Sequence, residues 1–189
     1  MSDDKINMTT GEDPHSHRGE VLMRDRYPGP YWWDSGNLPR MVQPRLSPSM
    51  IRFIENLPFF FVATASDRGH CDASFRGRDY DAAGRPLPAL RAPDPQTVIF
   101  PDFRGNGLYQ SLGNILTNPQ IGLLFMDFDR QRRARVNGRA SILPPPDWAA
   151  ALWPAAQSVV QVEVQQAFGN CAARIPRMRL YEGSDAPFS

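Results

Sequence analysis

The chain has 189 residues, with 21 basic against 20 acidic side chains and a formal net charge of +1, so it lacks the strong basic excess of a general nucleic-acid or membrane-surface binder. Hydrophobic residues make up 41%, enough for a sizeable core in one domain plus an arm. No apolar run approaches the roughly 18 residues of a membrane span, and the polar, acidic start from Met1 to Pro14 is unlike a signal peptide, so the expected compartment is the cytoplasm.

Residues 1–46 read as an extended N-terminal arm. The first twenty are polar, include His15 and His17, and are expected to fray. The stretch Tyr27-Pro28-Gly29-Pro30-Tyr31-Trp32-Trp33 is too proline-rich for a long helix or a central strand. It is also too aromatic to stand free in water. It is expected to pack as an irregular arm on the domain or on a partner subunit, or to line a ligand site.

Residues 47–171 read as the main domain. Ser47 at the N-cap and Pro48 at the first helical position open a helix whose apolar face is Met50, Ile51, Phe53, Ile54 and Leu57; Pro58 stops it. Phe59 to Ala65 is a strand apolar on both faces, Asp67-Arg68-Gly69 a hairpin loop, and His70 to Arg76 the return strand. On that strand Cys71, Ala73 and Phe75 share one face, and Asp72, Ser74 and Arg76 the other. Residues 77–95 read as a long functional or mobile loop. Thr97 to Phe100 is a strand ended by Pro101-Asp102. A helix is expected over Gly107 to Thr117 with Leu108, Leu112, Ile115 and Leu116 buried.

Ile121 to Phe128 is again apolar on both faces. Arg132 to Leu143 alternates cleanly: Ala134, Val136, Ala140 and Ile142 face one way, and Arg133, Arg135, Asn137 and Arg139 the other, with Gly138 placed for a bulge. Pro144-Pro145-Pro146 breaks the sheet, and Asp147 to Trp153 fits a short helix. Val160, Val162, Val164 and Phe168 mark a last strand, and residues 172–189 a C-terminal tail. About six strands with short turns and one inserted helix suit a mainly β, six-stranded antiparallel Greek-key barrel rather than a doubly wound sheet.

Lys5 is the only lysine, so an anion site here must be built from guanidinium, hydroxyl, amide and backbone N–H groups. Three places offer them. The helix start near Gly105-Asn106, with Gly107, Ser111 and Asn114 along one stripe, either favours a phosphate or is ordinary capping by Asn106. The Asp72/Ser74/Arg76 face is either a phosphate grip or an exposed strand face with a surface ion pair. The row Arg133, Arg135, Asn137 and Arg139 is either solvated or directs a cation at a ligand. Cys71 and Cys171, far apart, make neither a disulfide framework nor a metal site, and Cys171 reads as a packed small residue. The sequence has no nucleophile elbow, P-loop or dinucleotide fingerprint, and His70 beside its hairpin reads as a surface residue.

Several segments, in order, resemble the pyridoxamine 5′-phosphate oxidase-like FMN-binding proteins. They are Phe59 to Ala65 with Asp72 to Gly77, Val98 to Asp102 with Gly105-Asn106, Ser111 to Ile115, and Gly122 to Phe125 with Arg135 to Ala140. The resemblance implies an FMN-binding split β-barrel and a homodimer with FMN between subunits. It implies Arg76 as a phosphate arginine with Ser74 nearby, and Asn106, Ser111 and Asn114 by the phosphate or ribityl chain. Arg133 and Arg135 would approach the flavin ring from the neighbouring strand pair, of the same subunit or the other. The activity implied is that of an FMN-dependent oxidoreductase on a small molecule. F420 or haem in the same fold, or a non-catalytic flavin-binding stress or sensor protein, are the alternatives. Two departures weigh against pyridoxamine phosphate as substrate: Ser111 stands where the oxidase carries a phosphate-binding lysine, and the tail has Arg174, Arg177 and Arg179 but no histidine.

Overall fold

A computed structural model describes residues 16–29 and 37–179. The chain divides into two units, Met1–Val42 and Gln43–Ser189. In the first, α1 (Arg18–Arg26) and α2 (Leu38–Met41) are the helices among the described residues. The expected fraying up to residue 20 is corrected at α1. His17 Nδ1 accepts the Gly19 N–H at 3.1 Å, and the Glu20 carboxylate accepts the His17 N–H at 3.1 Å. This reciprocal cap satisfies two orphan donors with a histidine rather than the usual serine or aspartate. Residues 1–15, and Tyr31, Trp32 and Trp33 of the aromatic stretch, lie outside the described residues.

In the second unit, α3 (Pro48–Glu55) starts as expected: the Ser47 Oγ accepts the Met50 N–H at 3.2 Å. The strands are β1 (Phe59–Ala65), β2 (Cys71–Gly77), β3 (Arg91–Asp94), β4 (Thr97–Phe103), β5 (Gln120–Asp127), β6 (Arg132–Leu143) and β7 (Ala156–Asn170). Helix α4 (Gln110–Thr117) lies between β4 and β5, and α5 (Asp147–Leu152) between β6 and β7. All pairings are antiparallel, in the order β2-β1-β5-β6-β7-β4-β3.

The sheet has seven strands rather than six. The additional β3 falls inside the segment read as a loop, where Pro93 hides the pattern. As an edge strand it tolerates proline, and it buries Ala92. Strand β4 likewise runs through Pro101, which pairs with Val159 of β7 beyond the residues that β3 covers, so no ladder bond on that open side needs its missing N–H.

The sheet curls around a core that includes Ile54, Phe60, Phe100, Phe125, Val136 and Val160. The Phe60 ring meets Phe100 edge-on at 5.2 Å and Phe125 at 5.5 Å, and burying each such ring contributes about 1.5–3 kcal/mol. A second cluster under α5 centres on Trp153, whose Nε1 donates to the Pro88 carbonyl at 2.7 Å.

Gly138 marks the expected bulge. The β6–β7 register shifts between Asn137 and Gly138, and a Cβ at Gly138 would run into the Glu163 carbonyl oxygen. Val162 and Val164 are buried before the shift and Ala167 after it, leaving Phe168 half-buried. Cys171, expected to be packed, is exposed because the strand has already ended.

Candidate functional site

Strand β2 lies at the sheet edge and bares Cys71, Ala73 and Phe75, while Asp72, Ser74 and Arg76 are half-buried beneath α4 and the end of β4. The face read as either a grip or a surface pair is therefore turned inward. Its residues form one wall of a cavity of about 440 Å³, whose other walls are Asp102 and Phe103, the loop through Asn106 and Gly107, and the first turn of α4.

Helix α4 begins at Gln110, three residues later than the spacing predicts. Gly107 (φ 81°) and Tyr109 (φ 52°) both take left-handed backbone, which breaks the helical run. Leu108, expected inside, therefore falls before the helix and is exposed; Leu116, also expected inside, is exposed on α4, while Leu112 and Ile115 are buried. Asn106 does not cap the helix; its Oδ1 accepts the Leu108 N–H at 3.1 Å. No side chain caps α4, so its first-turn N–H groups are free of side-chain acceptors and carry the partial positive charge of a helix start.

Two hydrogen-bonded groups line the cavity. In the first, Ser111 Oγ donates to Asp72 Oδ2 at 2.8 Å, and Ser74 Oγ lies 2.9 Å from Ser111 Oγ. Ser111 has one hydroxyl proton and gives it to Asp72, so Ser74 donates to Ser111. In the second, Arg76 Nη1 donates to Asp102 Oδ1 at 3.2 Å, and Gln157 Nε2 donates to Asp102 Oδ2 at 2.7 Å. Asp102 is buried, and burying a carboxylate is tolerable because both its oxygens are bonded. Arg76 Nε, also buried, has no partner. Two carboxylates thus face one guanidinium, a formal balance of minus one.

Of the residues singled out in the sequence, Ser74, Arg76, Asn106 and Ser111 meet at this cavity. Asn114 does not line it: its Nδ2 donates to the buried Thr64 Oγ1 at 3.0 Å and ties α4 to β1. Arg133 and Arg135 lie on β6, away from it. Arg135 sits over the Phe168 ring at 5.8 Å, and Arg133 Nε is buried without a partner.

Asp102 and Gln157 escaped the sequence reading. The signal for Asp102 was a carboxylate just past Pro101, which ends the apolar run Val98–Phe100; nothing local marks Gln157, which the β4–β7 pairing brings alongside. Among the described residues there is no cluster of three or more potential metal ligands and no helix long and apolar enough to cross a membrane.

Residues 46–180 match the family model described as pyridoxamine 5′-phosphate oxidase. No curated protein sequence matches the chain. Among solved structures, a variant of HupZ from Group A Streptococcus superposes with a TM-score of 0.50 at 22% identity, covering 66% of this chain and 99% of that one. A structure described as a putative pyridoxamine 5′-phosphate oxidase from Lactobacillus delbrueckii gives a TM-score of 0.50 at 15% identity, covering 68% of this chain and 98% of that one. At these identities the likeness is one of fold.

Proposed function

The chain belongs to the pyridoxamine 5′-phosphate oxidase family, and from this we propose that it binds FMN at the β2–α4 cavity and works as a flavin-dependent oxidoreductase on a small molecule. The observation that carries the reading is the convergence of Ser74, Arg76 and Ser111 with the uncapped start of α4 on one cavity.

The cavity residues suit the polar tail of this cofactor. A ribityl phosphate chain offers hydroxyl donors and phosphate acceptors. Asp72 and the serine oxygens accept from hydroxyls. The α4 N–H groups and the guanidinium of Arg76, whose buried Nε has no protein partner, donate to phosphate. Asp72 opposes a phosphate by charge, so the tail must lie with its hydroxyls, not its phosphate, toward that carboxylate. Asp102 and Gln157 orient Arg76 through two hydrogen bonds.

A homodimer belongs to the same proposal. Across the outer face of the sheet, Phe75, Phe61, Leu124, Arg135 and Phe168 stand in one cross-strand row. Phe75 is exposed and packs edge-on against Phe61 at 6.0 Å. A row that exposes Phe75 and Arg135 and leaves Phe61, Leu124 and Phe168 half-buried fits a partner surface. Arg135 stands within it, so a second copy docked there would receive Arg135, with Arg133 two residues away, near its own cofactor.

Bound FMN supplies hydride or electron transfer; the chain's part is to hold the tail, seat the ring and place a guanidinium where reduced flavin gathers negative charge. Titration of the ligand-free chain with FMN, followed by flavin fluorescence, tests the binding. Saturable binding that weakens on Arg76→Ala is expected, and absence of saturable binding overturns it. Reduction of the bound flavin by NADH or NADPH then tests for catalysis.

A further inference from the structure

Three of the side chains lining the β2–α4 cavity carry charge: Asp72, Arg76 and Asp102. Arg76 keeps its buried Nε for a ligand, but its charge is already met by Asp102 at 3.2 Å. Asp72 is not met. Its Oδ2 accepts the Ser111 hydroxyl at 2.8 Å, and among the described residues no cation pairs with it. Arg104 lines a neighbouring cavity and is exposed, where water and salt screen its charge.

The position of Asp72 matters as much as its charge. Ser111 is the second residue of α4, so its bond to Asp72 sets the carboxylate against the first turn of that helix. An anion drawn to the free N–H groups of the turn comes to rest beside a carboxylate. The helix start offers roughly half a positive charge, and Asp72 a whole negative one. At equal distance, like charges repel as strongly as unlike charges attract. A hydroxyl group meets the opposite situation. Asp72 Oδ1, which accepts no hydrogen bond from the described residues, and the serine oxygens beside it take a hydroxyl proton with no opposing charge.

We propose that Asp72 sets the specificity of the cavity for the tail of its ligand. It cancels what Arg76 and α4 gain from a phosphate, so the site takes riboflavin, whose tail ends in a hydroxyl, as readily as FMN. This specificity rests on the flavin reading of the cavity and narrows it: the ligand is a flavin with or without its phosphate, held mainly by the ribityl hydroxyls.

The test is a pair of fluorescence titrations of the full chain, one with FMN and one with riboflavin. The two dissociation constants are expected to agree within about threefold, at low salt as at high salt. Asp72→Asn keeps an oxygen for the Ser111 hydroxyl and removes the charge. It is expected to tighten FMN about tenfold while riboflavin stays the same or weakens. A preference of about tenfold or more for FMN in the unaltered chain overturns the role of Asp72. So does an FMN-to-riboflavin ratio that Asp72→Asn leaves unchanged. Either result leaves the flavin reading standing, whereas binding of neither flavin overturns both. Urea unfolding shows whether the variant is folded; if it is not, the ratio in the unaltered chain decides.

Discussion

Arg76 and Asp102, 26 residues apart, form an ion pair at 3.2 Å in which the carboxylate is almost wholly buried and the guanidinium forms part of a cavity wall. The pair joins β2 at one sheet edge to β4 near the other, and under the proposed function the same side chain also binds the cofactor. Arg76→Ala is expected to weaken FMN binding by about 1.5–3 kcal/mol. It should also lower stability, because Asp102 is left buried with Gln157 as its remaining partner. Flavin titration and urea unfolding of the same variant check the two effects; unchanged affinity removes Arg76 from the site.

Ser111→Lys is expected to tighten FMN binding by about 1.5–3 kcal/mol. The substitution places an ammonium beside Asp72, with which Ser111 now bonds at 2.8 Å, and turns the negative balance of the cavity toward neutral. Flavin fluorescence titration measures it. A weaker affinity would mean that the Ser74–Ser111–Asp72 chain itself holds the ligand.

How much of this was legible in the sequence depends on how local the cause was. Helix α3 was readable because Ser47-Pro48 carries its own cap, and β6 because strict alternation over Arg132–Leu143 leaves only one register. The start of α4 was not, because Tyr109 takes left-handed backbone that its residue type does not announce. That displacement exposed Leu108 and turned Asn106 into a loop acceptor rather than a cap. The site was half legible. Ser74, Arg76 and Ser111 stood out by residue type, but Asp102, which pairs with Arg76, and Gln157, which donates to Asp102, come together through the pairing of β4 with β7, which no short motif encodes. Alternation put Arg133 and Arg135 on one face of β6, and only the family resemblance aimed them at a ligand; alternation fixes a face, not a neighbour.

Gly138→Ala is expected to cost about 1–3 kcal/mol of stability, because the added methyl group must displace the Glu163 backbone at the β6–β7 bulge. Urea unfolding checks it. A neutral result would show that the bulge can migrate.

The loop after β2 is expected to loosen in acid. Asp81 accepts the Arg85 and Ala83 N–H groups and pairs with the Arg85 guanidinium at 2.7 Å, and these bonds from Arg85 hold its carboxyl below the ordinary value of 3.8. A lowered pKa contributes stability that is complete above the unfolded value and is lost as pH falls through the folded one. Amide shifts of Ala83 and Arg85 should therefore stay constant at neutral pH and move together in the acid range. Asp81→Asn should remove that transition.

The most direct measurement is the absorbance spectrum of the purified chain, together with the mass of any ligand it releases on denaturation. The account predicts a yellow protein that releases FMN, or a colourless one that turns yellow and saturates when FMN is added. A colourless protein that takes up no FMN would contradict it.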